Sequence, residues 1–212
     1  MEIQAKYDLD VVALQSQDDL TCLLTLTAPE PEELAQRPGE TLIAVLDDSG
    51  SMAGHRLAAA THALHQLVDR LKPQDTFGLV TFSSDARICV PAGRIGDQHL
   101  PSLHRRIESV SPRSSTDLSA GYVLGLAEAE RHASSTGASL LLLSDGHAKA
   151  GITDPRRLGS LAARGRSKGT TTVSIGIGDG YDEALLSELA AQGQGSHRFA
   201  FTPDEAVAVV SE

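Results

Sequence analysis

From residue 41 to the C-terminus, short apolar segments alternate with longer amphipathic ones, and this pattern limits the possible folds more than any other feature. The apolar segments at 41–46 and 140–143 lack polar alternation, which is typical of parallel strands covered on both faces. Between such segments, apolar residues recur at helical spacing. Strands separated by helices form right-handed parallel crossovers. The sequence therefore predicts an α/β fold with a doubly wound sheet.

The predicted sheet has six strands, one of them antiparallel. The turn at 83–85 is too short to join parallel strands, so the strand after it is expected at an antiparallel edge. We therefore predict a Rossmann-like, mostly parallel sheet with helices on both faces. The strands are predicted at 41–46, 77–82, 86–90, 140–143, 171–177 and 196–201, and the helices at 53–71, 97–110, 116–133, 154–168 and 182–192, with a last helix from Pro203.

The first 38 residues are predicted to form a separate extension. Strand-like segments at 3–13 and 19–28 favour a β-hairpin. The Pro- and Glu-rich segment at 29–39 is typical of a surface linker. The predicted organisation is a β-hairpin extension and linker at 1–38, followed by an α/β domain at 39–212.

Composition and charge disfavour several kinds of function. Aromatic residues make up 3% of the chain and Trp is absent, so the core must consist mainly of Leu, Val, Ile and Ala. A formal net charge of -10 makes non-specific nucleic-acid binding a poor candidate, because such binding requires Lys and Arg to neutralise phosphates. Cys22 and Cys89 are too few for a disulfide scaffold and match no zinc motif, so buried free thiols are expected.

Targeting and membrane signals are not found in the sequence. The N-terminus lacks the apolar core of a signal peptide, and no segment approaches the ~18 apolar residues that span a bilayer. We therefore expect a soluble, cytoplasmic chain without membrane insertion, which is either whole or a piece of a longer protein.

Five oxygen-bearing side chains are predicted at one edge of the sheet. They follow the first predicted strand, precede a helix, or close the fourth strand, and in parallel sheets ligands bind beyond the carboxyl ends of the strands. Two carboxylates and three hydroxyls suit Mg²⁺ or Mn²⁺ better than Zn²⁺. The five residues are Asp47, Ser49, Ser51, Thr116 and Asp145.

Each of these residues also has a local explanation. Thr116 is a candidate helix N-cap, and Ser49 or Ser51 is a candidate cap for the helix from 53. Asp145 with Gly146 forms a common turn pair. A shared metal site is favoured over these local roles because all five side chains are expected to meet at one edge of the sheet.

The five residues, in this order and at these strand ends, resemble the metal-ion-dependent adhesion site (MIDAS) of von Willebrand factor type A domains. The resemblance covers residues from about 41 to 212. It implies a divalent cation, Mg²⁺ or alternatively Mn²⁺ or Ca²⁺, whose open coordination position is filled by an Asp or Glu of a protein partner. The hairpin is similar to the N-terminal β-extension of some intracellular or inter-α-inhibitor-like members.

Two further aspartates lie beside the predicted site residues. Asp48 is expected to point away from Asp47, and is interpreted as solvated or bound to the loop, or alternatively as an added charge that strengthens cation binding or repels acidic partners. Asp117 is expected to stabilise a helix N-terminus. On the first helix, His62 and His65 are expected to be exposed to solvent.

Three functions are compatible with these residues. The favoured one is a cation-dependent protein-binding module without catalysis. Such a module is expected to work in a larger assembly or together with an AAA+ ATPase. A Mg²⁺-dependent phosphotransferase or hydrolase is the alternative, although Ser49 stands where such enzymes of the haloacid dehalogenase type carry a second Asp, and no P-loop is found. A third possibility is a purely structural domain whose metal site is degenerate.

Overall fold

The computed structural model describes residues 2–7, 21–27, 37–200 and 205. The chain divides into two compact units, Met1–Arg37 and Pro38–Glu212. No helix in the described part of the chain is long and apolar enough to cross a membrane.

The first unit contains a two-stranded antiparallel sheet. Strand β1 (Glu2–Tyr7) pairs with β2 (Cys22–Thr27), which confirms the predicted antiparallel pairing. The other residues of the two predicted strands and most of the predicted linker lie outside the described residues. Cys22 is exposed and Cys89 is half-buried, so the prediction of buried thiols is wrong for Cys22, which lies on a thin two-stranded sheet.

The second unit is built on a sheet with the strand order β5-β4-β3-β6-β7-β8, counted over the described residues. Strand β5 runs antiparallel to β4 at one edge, and the other neighbours are parallel. The predicted six-stranded, mostly parallel sheet is therefore confirmed. The strands are β3 (Thr41–Asp47), β4 (Thr76–Phe82), β5 (Ala86–Arg94), β6 (Ala138–Ser144), β7 (Thr170–Ile177) and β8 (Gln194–Ala200).

Five α-helices in the described residues connect these strands. Short 3₁₀ turns at Gly50–Met52 and Ile95–Asp97 precede the first and second helices. Of the predicted last helix, only Glu205 lies within the described residues, and it is helical. The helices are α1 (His55–Arg70), α2 (Leu100–Glu108), α3 (Leu118–His132), α4 (Pro155–Ser167) and α5 (Glu183–Gln192).

The central strand β3 contributes side chains to a core on each face of the sheet. Ala44 and Leu46 pack with α1 and α2, whereas Ile43 and Val45 pack on the opposite face with α3. Each of these residues is fully buried. This two-sided burial explains the continuous apolar sequence of the strand, since fully burying a Val or Leu side chain stabilises the fold by about 1.5–3 kcal/mol.

Helix α2 also packs across α1 and brings two histidines together. Nδ1 of His65 lies 2.6 Å from Nδ1 of His104, and the rings stack with centroids 4.9 Å apart. His65 is therefore half-buried, and the prediction that it is exposed is wrong, whereas His62 is exposed as predicted.

The parallel arrangement places the carboxyl ends of β3, β4, β6 and β7 at one edge of the sheet, which is called the rim from here on. The loops after these strands and the loop before α3 form it.

Candidate metal centre

Asp47 ends the central strand and is fully buried at the rim. Its Oδ1 accepts a hydrogen bond from the backbone N–H of Ser49 at 2.8 Å, and its Oδ2 accepts one from Oγ of Ser144 at 2.6 Å. Ser144 is the last residue of β6, so this bond joins the ends of the two neighbouring central strands. The carboxylate is thereby fixed in one orientation.

The hydroxyls of Ser49 and Ser51 face each other, with the two Oγ atoms 3.1 Å apart. Helix α1 has Gly54 as its N-cap, and no side chain caps it. The capping role suggested for Ser49 or Ser51 is therefore wrong, because Ser49 precedes the 3₁₀ turn Gly50–Met52 and Ser51 lies within that turn. The two hydroxyls form a hydrogen bond with each other, in which either one is the donor.

Thr116 carries a hydroxyl without a hydrogen-bond partner. Its side chain is fully buried, and its Oγ1 is one of three such orphan side-chain atoms in the described residues, with those of Ser83 and Thr170. The N-cap of α3 is Asp117, which accepts from the backbone N–H of Ala120 at 3.0 Å. The capping role is thus confirmed for Asp117 and wrong for Thr116. A buried unpaired hydroxyl costs about 1–3 kcal/mol and calls for an explanation, such as a bound ion or water.

Asp145 follows β6 and is also fully buried. Its Oδ1 accepts from the backbone N–H of His147 at 3.2 Å, and its Oδ2 lies 3.4 Å from Nη1 of Arg56. Burial raises the pKa of Asp47 to about 6, hydrogen bonds from Ser144 and Ser49 oppose this rise, and the negative charge of Asp145 adds to it. The two carboxylates therefore repel each other, and a cation between them would relieve that repulsion.

Backbone hydrogen bonds connect the rim loops. The N–H of Gly50 donates to the carbonyl of Ser114 at 3.0 Å, which ties the loop carrying Thr116 to the loop after β3. The carbonyl of Thr116 accepts from the N–H of Lys149 at 2.9 Å, which ties it to the loop after β6. Asp47 at the end of β3 and the other four predicted residues thus lie in segments that hydrogen bonds join to one another.

Asp48 is held by arginines rather than by solvent. Its two carboxylate oxygens accept from Nε and Nη2 of Arg113, both at 2.9 Å, and Nη2 of Arg87 lies 3.3 Å from Oδ2. Because Asp48 is fully buried, the solvated alternative is wrong and the loop-bonded one is correct. Its charge is neutralised locally.

Residues 41–211 match the sequence model of the von Willebrand factor type A domain. The chain belongs to the von Willebrand factor type A (VWA) domain family. The match begins at the first residue of β3 and includes all five predicted site residues.

Relatives of this VWA domain come from bacteria and from animals. YfbK of Escherichia coli strain K12, an uncharacterised protein, is 32% identical over 177 residues, which cover 82% of this chain and 30% of YfbK. Human inter-alpha-trypsin inhibitor heavy chain H4 is 29% identical over 175 residues, which cover 79% of this chain and 19% of that protein. The chain thus spans less than a third of the length of either relative.

A solved structure has the same fold. The von Willebrand factor type A structure from Catenulispora acidiphila superposes with a TM-score of 0.71 at 19% identity, covering 90% of this chain and 43% of that one. At this identity the likeness supports the fold alone.

The side chains of this VWA domain fit a hard divalent cation. No group of three or more His, Cys, Asp or Glu side chains with metal-binding spacing occurs in the described residues, so a cation here would depend on hydroxyl oxygens as well as carboxylates. The orphan hydroxyl of Thr116 and the facing hydroxyls of Ser49 and Ser51 supply such oxygens. Two carboxylates with three hydroxyls and retained waters match the preference of Mg²⁺.

Two residues that contact the predicted site residues were not predicted from the sequence. Ser144 orients Asp47, and Arg56 contacts Asp145 from helix α1. The sequence does contain an indication for Arg56. A positively charged residue in the first turn of a helix is unfavourable next to the helix dipole, which suggests a role outside the helix.

Proposed function

We propose that this VWA domain is a cation-dependent protein-binding module without catalytic activity of its own. Mg²⁺ is the expected cation, with Mn²⁺ and Ca²⁺ as alternatives, and its open position would accept an Asp or Glu carboxylate from the partner. The single observation that carries the proposal is the fully buried, unpartnered hydroxyl of Thr116 at the rim. The proposed cation-binding residues are Asp47, Ser49, Ser51, Thr116 and Asp145.

The charge balance of the site supports an acidic partner. Asp48 is compensated by Arg113, so the two carboxylates of the proposed set, Asp47 and Asp145, are left to balance a divalent ion. A cation held by few carboxylates and several neutral hydroxyls keeps unsatisfied positive charge. Because the site is buried, that charge acts on a partner carboxylate more strongly than it would in bulk water.

The setting of the domain is part of the proposal. Because the chain spans only a fraction of its curated relatives, we propose that it acts as one module of a longer protein or of a multiprotein assembly. An association with an AAA+ ATPase and a cytoplasmic location stay predictions from the sequence.

The test is a capture experiment followed by a binding measurement. Immobilised wild-type chain, Asp47→Ala and Asp85→Ala are incubated with native lysate in Mg²⁺ or in EDTA. Asp85 is a matched control, since its side chain is an exposed rim carboxylate outside the proposed set. A partner should be retained in Mg²⁺ by the wild type and the Asp85 variant, and lost in EDTA or with Asp47→Ala. Purified partner that binds equally well in EDTA would overturn the proposal.

A further inference from the structure

Arg56 connects three segments of the rim. It is the second residue of α1, and its Nη1 donates to the carbonyl of Ser51 at 3.1 Å and approaches Oδ2 of Asp145 at 3.4 Å. Its Nη2 donates to the carbonyl of Asp179 at 2.8 Å, in the loop after β7. A positively charged side chain thus contacts two of the five proposed cation-binding residues.

This position is unfavourable for the helix alone. A cation in the first turn of a helix faces the positive end of the helix dipole. The first turn of α1 contains no acidic residue, and its N-cap, Gly54, provides no side-chain hydrogen bond. The N-terminus of α1 and the guanidinium of Arg56 therefore add positive potential to the same part of the rim.

The charge of Arg56 is only partly shielded by water. Its side chain is 21% exposed, and the carboxylate that it contacts is fully buried. Asp48 does not compensate it, because that carboxylate is already bound by Arg113 and Arg87. A divalent ion held by Asp47 and Asp145 would therefore leave one net positive charge among these four groups.

We propose that Arg56 is a permanent second positive charge of this site, which lowers its affinity for the free cation and raises its affinity for the carboxylate that completes it. The inference rests on the proposed function and adds a residue that selects an acidic partner. Any cation bound to Asp145 lies within the Debye length of about 8–10 Å from the guanidinium, so the two positive charges repel each other. The same two charges both attract a carboxylate. Arg56 consequently acts in opposite directions on the two binding steps.

The test measures both steps with the whole chain. Calorimetry gives the Mg²⁺ affinity of wild type and Arg56→Gln, and we expect the variant to bind Mg²⁺ about tenfold more tightly. An NMR titration of the Mg²⁺-saturated proteins with N-acetyl-triglutamate amide then gives the carboxylate affinity. Here we expect Arg56→Gln to bind about threefold to fivefold more weakly.

Two further variants separate charge from structure. Arg56→Lys cannot reproduce the same hydrogen bonds to Ser51 and Asp179. Because it keeps the charge, it should nevertheless behave like the wild type in both titrations. Lys149→Gln removes an exposed rim charge and should change neither affinity by more than about twofold. If Arg56→Gln fails to fold, Arg56→Met takes its place, since its aliphatic side chain still packs beside Gly178.

The outcomes distinguish this inference from the proposed function. Weaker Mg²⁺ binding by Arg56→Gln, or unchanged binding, overturns the inference and makes Arg56 a structural link between loops, while the proposed function stands. Absence of Mg²⁺ binding by both wild type and variant overturns the proposed function and this inference with it. Binding of Mg²⁺ by Arg56→Gln alone overturns both, because a wild-type site that excludes the cation cannot offer it to a carboxylate.

Discussion

Thr116 and Thr170 have the same local defect at opposite ends of the sheet. Each carries a buried hydroxyl without a partner, but Thr116 lies at the rim and Thr170 begins strand β7 at the other end. The local environment alone therefore does not distinguish a ligand from an unsatisfied group. The distinction rests on the backbone hydrogen bonds that join the loop of Thr116 to the loops after β3 and β6.

Replacing these threonines by valine separates the two roles. In the absence of a cation, each change should leave the free energy of unfolding unchanged or raise it by about 1 kcal/mol, because it removes an unpaired hydroxyl. Thr116→Val should in addition weaken Mg²⁺ binding at least about tenfold, the equivalent of one lost ligand at 1.4 kcal/mol. Calorimetry measures the affinity and urea unfolding the stability. An equal loss of Mg²⁺ affinity in Thr170→Val would contradict the assignment of Thr116.

Two arginines, Arg113 and Arg87, contact the carboxylate of Asp48, and they should contribute unequally to stability. Arg113 binds both oxygens and its side chain is 21% exposed, whereas Arg87 makes one longer contact and is 49% exposed. Arg113→Met should lower the free energy of unfolding by about 3 kcal/mol, because it leaves a buried carboxylate poorly compensated. Arg87→Met should cost less than about 1 kcal/mol, since exposed ion pairs contribute little. Urea unfolding that gives equal losses would contradict this ranking.

At the scale of elements, most of the sheet follows from the sequence. The unbroken apolar run of β3 and the three-residue turn before β5 predict a buried central strand and an antiparallel edge, and both are confirmed. The predicted helix at 97–110 is shorter in the structure, Leu100–Glu108, because the 3₁₀ turn Ile95–Asp97 takes up its first residue and His99 is the N-cap.

Contacts between distant elements were beyond prediction. Arg56 and Asp145 are 89 positions apart, and Asp48 and Arg113 are 65 apart. Neither pair belongs to a periodic pattern, so each depends on which helix packs over which strand end. The five candidate residues could be named from the sequence because four of them lie at or after strand ends and Thr116 precedes a helix. Arg56 and Arg113, which set the local charge, could not be named from the sequence.

The contact between α1 and α2 should make stability depend on pH. Burial lowers the pKa of His65, and the charge of His104 lowers it further, while Glu108 and Asp69 act in the opposite direction and His62 adds a small lowering effect. The ring is therefore protonated more readily in the unfolded chain. As the pH falls below about 6.5, the unfolded state takes up more protons and the folded state loses stability.

A variant isolates this contribution. His65→Leu should reduce the loss of stability between pH 7 and pH 5, measured by urea unfolding at each pH. The remaining dependence includes His197, whose pKa burial also lowers. His62→Gln is the control on the same helix, and its pH dependence should stay close to that of the wild type, since His62 is exposed and has the smallest of the effects on the pKa of His65. An unchanged pH dependence in His65→Leu would contradict this role for the histidine pair.

At the scale of the whole molecule, the strand order explains where the site lies. Strands β3 and β6 are neighbours in the middle of the sheet, and the residues at their ends are Asp47 and Ser144, with Asp145 directly after. An overall charge of -10 would favour cations at many surface positions. A specific site must therefore be distinguished from general attraction by a variant that removes one charge without changing the shape of the side chain.

Thermal unfolding with and without Mg²⁺ provides this test. A cation that binds only the folded state stabilises it by about 2.7 kcal/mol at a concentration 100 times Kd, which raises the Tm of a domain of this size by about 5–10 °C. Wild type and Asp85→Asn should show this rise, and Asp47→Asn should show none. If Asp47→Asn shows the same rise as the wild type, or if Mg²⁺ raises the Tm of none of the three proteins, Asp47 does not belong to a cation site.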